Sequence, residues 1–307
     1  MSSVVVVGSV NVDIMARVES LPAPGQTLLG TDAVIRPGGK GANQAVAAAR
    51  LGAPTRMIAA VGDDDFGTRM TANLADAGVD VVGVTRMAGQ ATGLALIVVA
   101  ADGENTVVVA PGANASLAAP HDLTLGRDDV LLLQLEIPLD TCLAAADVAT
   151  AAGARVVLNA APLAAPGPAF AELLERVDVL ILNESEATDL AKAGPPPDVD
   201  GWRALAARLN ARACVVTLGG LGAVGSDGTD TWWQPAFTAS IVDTTGAGDA
   251  FCGALAQSLA VGLDLREAVR RGCAAGAVAT GRLGAQAALP TADELAALLN
   301  QDQHNSP

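Results

Sequence analysis

The chain has 307 residues and a formal charge of −15, with 18 Lys and Arg against 33 Asp and Glu; no basic run offers the clustered cations that nucleic-acid phosphates require. Hydrophobic residues make up 51% but aromatics only 2%, and Tyr is absent, so the expected core is Ala, Val and Leu, and the stacking platforms of a base reader are scarce. Two histidines (His121, His304) and four cysteines (Cys142, Cys214, Cys252, Cys273) without metal-ligand spacing argue against a Ser-His-Asp machine and a His-rich metal site; the thiols read as free and buried in a reducing cytoplasm, and no apolar stretch reaches membrane length.

In chain order, Val4–Gly8 reads as a buried parallel strand and Gly41–Leu51 as an Ala-rich helix ended by Gly52. Apolar run, Gly or Asn break and Ala-rich helix then alternate. The strands are expected at Met57–Val61, Val130–Leu133, Val156–Asn159, Val179–Asn183 and Cys214–Thr217. The helices are expected at Phe66–Ala77, Leu139–Ala152, Ala169–Arg176, Glu184–Lys192 and Trp202–Leu209. Short links between alternating β and α elements imply a mostly parallel sheet covered by helices on both faces. Two segments break the rhythm. Ile14–Ile35 carries a Pro-rich turn, and Gly93–Val99 with Thr106–Pro111 flanks a polar turn and reads as a hairpin. Together they predict a small sheet set off from the main one, placed to cover a ligand. Gln301–Pro307 reads as a frayed tail.

Five clusters carry chemistry. Asp243-Thr244-Thr245-Gly246-Ala247-Gly248-Asp249 sets a Gly-rich turn before a helix, which aims backbone N–H groups and the positive helix end at one point. Asp249 falls in the first turn of that helix, a carboxylate base at the mouth of an anion site, as phosphoryl transfer to an alcohol needs. Gly38-Gly39-Lys40-Gly41-Ala42-Asn43 permits close backbone approach to a ligand, with amides of the following helix aimed at it; without Ser or Thr after the Lys it is no Walker A loop. Asn11 and Asp13 follow the first strand and share one side if extended, suited to vicinal hydroxyls. Asn183 and Glu186 stand three apart at a helix start, as a capping box or as groups that organise water about Mg²⁺. Thr217-Leu218-Gly219-Gly220-Leu221-Gly222 follows an apolar strand, either a simple turn or a backbone surface for a nucleotide.

These clusters, in this order, resemble the ribokinase branch of the PfkB carbohydrate-kinase family over roughly Val4 to Pro290; Gln44-Ala45-Val46-Ala47-Ala48-Ala49-Arg50-Leu51-Gly52 extends the match. The resemblance implies one domain over 1–307 with a Rossmann-like α/β core and a β-sheet lid from insertions at about 14–35 and 93–111. It implies a cytoplasmic homodimer joined through the lid, and ATP-dependent phosphorylation of the 5-hydroxyl of D-ribose with Mg²⁺. Asp249 would be the general base, and the amides of Gly246, Ala247 and Gly248 the anion hole. Asn11, Asp13, Gly39, Lys40, Gly41, Asn43 and Glu136 would bind the sugar beside Asp249. Asn183, Glu186, Thr217, Gly219, Gly220, Gly222, Gly248 and Cys273 would serve ATP, with Glu186 reaching Mg²⁺ through water. Asp243, Thr245, Ala279, Arg282, Gly284 and Ala288 match the positions of an activating K⁺, though Ala288 lacks the hydroxyl that relatives often carry. Other acceptors on the same fold are deoxyribose, a hexose or a nucleoside such as adenosine; a non-catalytic sugar sensor is the remaining alternative.

Overall fold

The computed structural model describes residues 2–120, 122–163, 167–209 and 211–305; His121 lies outside them. Its elements are β1 (Val4–Val7), β2 (Asn11–Arg17), β3 (Val34–Gly38), α1 (Lys40–Arg50), β4 (Thr55–Gly62), α2 (Asp65–Asp76), β5 (Val79–Met87), β6 (Gly93–Val99), β7 (Asn105–Ala110), β8 (Val130–Gln134), α3 (Leu139–Ala152), β9 (Arg155–Asn159), α4 (Pro168–Leu174), β10 (Val179–Asn183), α5 (Glu184–Ala191), α6 (Val199–Arg208), β11 (Cys214–Thr217), β12 (Ala223–Ser226), β13 (Thr231–Gln234), α7 (Ala247–Ala260), α8 (Leu265–Thr280), α9 (Ala285–Ala288) and α10 (Ala292–Asn305).

A nine-stranded sheet runs β13-β12-β11-β10-β9-β8-β1-β4-β5. It is parallel except at β12, which pairs antiparallel with both β11 and β13. A run of four valines suits β1 because both faces of a parallel central strand are covered. Val4 and Val6 enter the core beneath α1, α2, α7, α8 and α10, while Val5 and Val7 enter the core beneath α3, α4, α5 and α6. Most apolar residues in both layers are Ala, Val and Leu, as composition required. Small side chains let α1 and α7 approach closely. A Cβ added to Gly253 on α7 would lie 2.4 Å from the Ala47 Cβ and 2.8 Å from the Gln44 carbonyl on α1.

From β1 the chain moves to β4 on one side and later to β8 on the other. That reversal leaves a crevice at the C-terminal ends of β1 and β8, where open α/β sheets bind ligands. The second sheet, β3-β2-β6-β7, starts there. It begins at Asn11, three residues before the expected boundary, and 18–33 of the insertion is irregular rather than extended. β2 pairs antiparallel with β3 and parallel with β6. Asn11 and Asp13 are therefore strand residues two apart, on one face of this sheet.

The sequence reading names no strand for β5, β12 and β13 and no helix for α8 and α10. The expected frayed tail is corrected in part: Gln301–Asn305 continue α10, and the remaining two residues lie outside the described ones.

Candidate active site

The crevice gathers residues from several strand ends and from the starts of α1, α5 and α7. Asp249 is buried in the first turn of α7 and both its oxygens are held: Asn43 Nδ2 donates to Oδ2 at 2.8 Å and Gln44 Nε2 to Oδ1 at 2.9 Å. Each oxygen keeps a lone pair for a further donor. Burial pushes Asp249 above the ordinary carboxylate range, against the pull of Lys40, Asn43 and Gln44. Asn43 Oδ1 is buried and has no partner among the described residues, so its carboxamide retains one free acceptor beside the base.

Gly246 caps α7 in the left-handed region at φ 78°, where glycine alone is unstrained. Its neighbour Ala285 stands so close that a Cβ on Gly246 would lie 2.9 Å from the Ala285 Cα. The amides differ from expectation in one member. Ala247 N–H donates to the Thr244 carbonyl at 3.2 Å, which occupies it. The N–H groups of Gly246, Gly248 and Asp249 have no acceptor among the described residues, as the open first turn of a helix leaves them. A cleft of about 150 Å³ lies in front of them, lined also by Lys40, Asn159, Asn183, Glu186, Thr217 and Cys252. A larger cavity of about 560 Å³ opens at the opposite ends of the strands, among Arg127, Arg155, Arg176 and Arg212, and contains none of these groups.

The Gly38–Asn43 cluster is corrected more substantially. The first amides of α1 do not face a ligand, because the protein itself occupies them. Lys40 N–H donates to Glu136 Oε2 at 3.0 Å, Gly41 N–H to Ser9 Oγ at 3.2 Å and Ala42 N–H to the Ser9 carbonyl at 2.9 Å. Ser9 Oγ in turn donates to Glu136 Oε2 at 2.5 Å. Glu136 and Ser9 thus cap α1. Glu136 also lines a second opening with Asn11. The glycines are steric necessities: a Cβ on Gly38 would overlap the Asp13 carboxylate at 2.2 Å, and one on Gly41 would lie 2.5 Å from the Ser9 backbone nitrogen. Gly39 holds φ 91° at the start of α1.

Asn11 Oδ1 accepts from Asn114 Nδ2 at 2.7 Å, which fixes its amide. Burial, then the charges of Glu136 and Asp249, push Asp13 up to about 6. Lys40 is the cation of this acidic group. Burial opposes its charge, but Asp249, Glu136 and Glu186 outweigh that and hold it above the usual lysine value. Its ammonium forms no ion pair within 4 Å among the described residues, so it remains available in the cleft.

On the far wall of the cleft the capping-box reading of Asn183 and Glu186 holds. Asn183 Oδ1 accepts from Glu186 N–H and Glu186 Oε2 from Asn183 N–H, each at 2.8 Å. Burial pushes Glu186 up, against the Asn183 amide and Lys40. Its Oε1 carries no hydrogen bond among the described residues, and the residue lines the cleft. Thr217 ends β11 in the cleft wall. Gly219 and Gly220 leave open space where a Cβ would stand, whereas Gly222 is structural: its Cβ would overlap the Gln234 carbonyl at 2.1 Å. Cys273 lies in the apolar core on α8 and does not line the cleft; Cys252, which the sequence reading passed over, does.

The loops at 243–246 and 281–288 meet. Asp243 Oδ1 accepts from Thr245 N–H at 2.9 Å and Oδ2 from Gly284 N–H at 2.8 Å. Burial raises Asp243, but those donors and Arg36 outweigh it and leave the carboxyl below its usual range. Arg282 turns its guanidinium to Glu294, so only its carbonyl is free for an ion. Ala288 is buried and offers no side-chain oxygen. Among the described residues no cluster of three or more His, Cys, Asp or Glu has the arrangement of a metal cage.

Sequence reasoning missed Ser9, Gln44, Gln134 and Cys252. Gln134 did carry a signal, as the amide that closes the apolar run Val130–Leu133, whereas Gln44 stands beside Asn43 and is not singled out.

The family of pfkB carbohydrate kinases matches residues 1–292. A ribokinase of Haemophilus influenzae is 36% identical over 94% of this chain and 95% of its own. One of Bacillus subtilis is 36% identical over 98% of this chain and 100% of its own. The structure of Arabidopsis thaliana ribokinase complexed with ribose and ATP superposes with a TM-score of 0.90 at 32% identity, covering 97% of this chain and 99% of that one.

Proposed function

The chain belongs to the pfkB family of carbohydrate kinases, and from that premise we propose that it transfers the γ-phosphoryl group of ATP to the 5-hydroxyl of D-ribose. The observation that carries this reading is the pairing of a buried, doubly held carboxylate with unoccupied helix-start amides. Asp249 lies beside the free N–H groups of Gly246 and Gly248 and across the cleft from Lys40.

The sugar lies between the second sheet and α1, with Asn11, Asp13, Asn43 and Glu136 on its hydroxyls, and its 5-hydroxyl at Asp249. Asp249 accepts that proton as the oxygen attacks the γ-phosphorus. The bond from the γ-phosphorus to the β–γ bridging oxygen breaks, and ADP leaves. Negative charge on the transferring group meets the amides of Gly246 and Gly248 and the Lys40 ammonium. Such a reaction relies on positioning and charge stabilisation, and losing one oxyanion donor costs on the order of 10²–10³ in rate.

ATP runs past Thr217, Gly219 and Gly220. Glu186, through its free Oε1, and Asn183 would hold Mg²⁺ through water, and the ion would supply neutralisation of phosphate charge. The oxygens of Asp243, with the carbonyls of Thr245, Ala279, Arg282, Gly284 and Ala288, are hard donors of the kind K⁺ prefers. The second sheet acts as a lid that excludes water from the transfer. Four free buried thiols suit a reducing cytoplasm, and no helix among the described residues is long and apolar enough to cross a membrane.

The test is coupled ADP release over a panel of pentoses, hexoses and nucleosides, with and without K⁺. Ribose is expected to give the highest kcat/KM, with stimulation by K⁺. A hexose or a nucleoside preferred over ribose would overturn the acceptor assignment.

A further inference from the structure

We infer that Gln44 and Gln134 form a buried relay that positions the carboxylate of Asp249 to receive the acceptor's proton. The inference rests on the base role proposed above for Asp249 and deepens it.

Both glutamines have zero solvent exposure. Gln134 ends β8, Gln44 lies on α1 and Asp249 on α7, so the relay links a central strand to both helices. Gln134 Nε2 donates to Gln44 Oε1 at 2.7 Å, and Gln44 Nε2 donates to Asp249 Oδ1 at 2.9 Å. The direction is forced. Rotating the Gln44 amide would set its oxygen against a carboxylate and its NH₂ against another NH₂. Rotating Gln134 would set oxygen against oxygen. Gln134 therefore fixes the Gln44 amide, and Gln44 fixes the Asp249 plane.

The fold makes room for this arrangement at a cost. A buried amide in an apolar layer is unfavourable unless paired, and Gln134 Oε1 has no partner among the described residues. A methionine of similar length would fill either position without that penalty. Glycines shape the space: a Cβ on Gly8 would lie 2.0 Å from Gln134 Oε1, and Gly253 lets α7 approach Gln44. Asn43 holds the other oxygen of Asp249. Released from Gln44, the carboxylate would turn toward the unpaired Lys40 ammonium, which the phosphates need.

The charged and titratable groups around Asp249 are Lys40 from α1, Glu136 after β8, Asp13 from β2 and Cys252 from α7; Glu186 on α5 faces Lys40. Gln44 is the neutral donor among them. Removing a donor from a carboxylate disfavours the ionised form and raises its pKa.

The experiment combines Gln44→Met, Gln134→Met and the double variant, read by kcat, KM and the pH profile of kcat. A second readout is the Asp249 carboxyl titration by ¹³C NMR, with Asp249→Asn assigning the resonance. Gln44→Met is expected to lose about tenfold in kcat, the scale of one hydrogen bond to a charged group, with both KM values within about twofold. The acid limb of the profile and the titration midpoint are expected to move to higher pH. Gln134→Met should fall between Gln44→Met and the parent. The double variant should be no slower than Gln44→Met, because Gln134 acts through Gln44. A purely structural role would lower the melting temperature and leave limb and midpoint in place; that result, or additive losses in the double variant, would overturn the relay. Should Gln44→Met not fold, Gln134→Met with an unmoved midpoint would overturn it equally. Should the parent enzyme phosphorylate no sugar, the kinase proposal falls, and the carboxyl titration still decides the relay.

Discussion

At the scale of single residues the site is an economy of charge. Asp13, Glu136, Asp249 and Glu186 gather around one lysine, and Asp13 bears the cost most openly. Its pKa rises from 3.8 to about 6, by burial and by its acidic neighbours. The folded state thus binds more protons than the unfolded chain between about pH 4 and 6, so this residue's contribution to stability declines as pH rises through that window. Binding runs the other way, because an ionised Asp13 is the better acceptor for sugar hydroxyls. KM for ribose is therefore expected to rise as pH falls below about 6, while Asp13→Asn should melt higher than the parent at pH 7.5 and bind ribose weakly at every pH. A variant that melts lower at pH 7.5, with an unchanged KM profile, would show that Asp13 is neither strained nor in contact with the sugar.

At the scale of elements, the βα units were legible because apolar runs and Ala-rich amphipathic stretches follow different periods. β8, β9, β10 and β11 lie within a residue of their expected places. The amide inventory at the two Gly-rich helix starts was not legible. Both clusters read as helix starts with amides aimed at a ligand, yet of the two only α7 leaves such amides open; α1 is closed by Glu136, 96 positions along the chain from Lys40, and by Ser9. No local pattern announces a cap supplied from another strand. The edge strand β7 was read as half of a hairpin, but its exposure follows from the sheet order. Val107, Val108 and Val109 are 50%, 57% and 48% exposed on an unpaired edge, a template for pairing with a second copy. We propose that the lid edge joins two protomers. Sedimentation is expected to give a dimer, and Val108→Lys with Val109→Lys a monomer; a monomeric parent protein at all concentrations would contradict it.

At the scale of the whole molecule, a doubly covered sheet with a reversal in strand order fixes where chemistry occurs, and the second sheet grows from the same point. Composition foretold an aliphatic core and the clusters foretold the crevice. The buried glutamines were not foretold, because their meaning depends on three elements meeting. The account stands on one relation, a proton acceptor set against open amides at the start of α7. Its most direct test is ribose-dependent ADP release by Asp249→Asn, which keeps the side chain's shape and removes its basicity. Turnover is expected to fall by about 10²–10⁴, with ATP affinity and melting temperature little changed. A folded Asp249→Asn protein turning over at the parent rate would contradict the account.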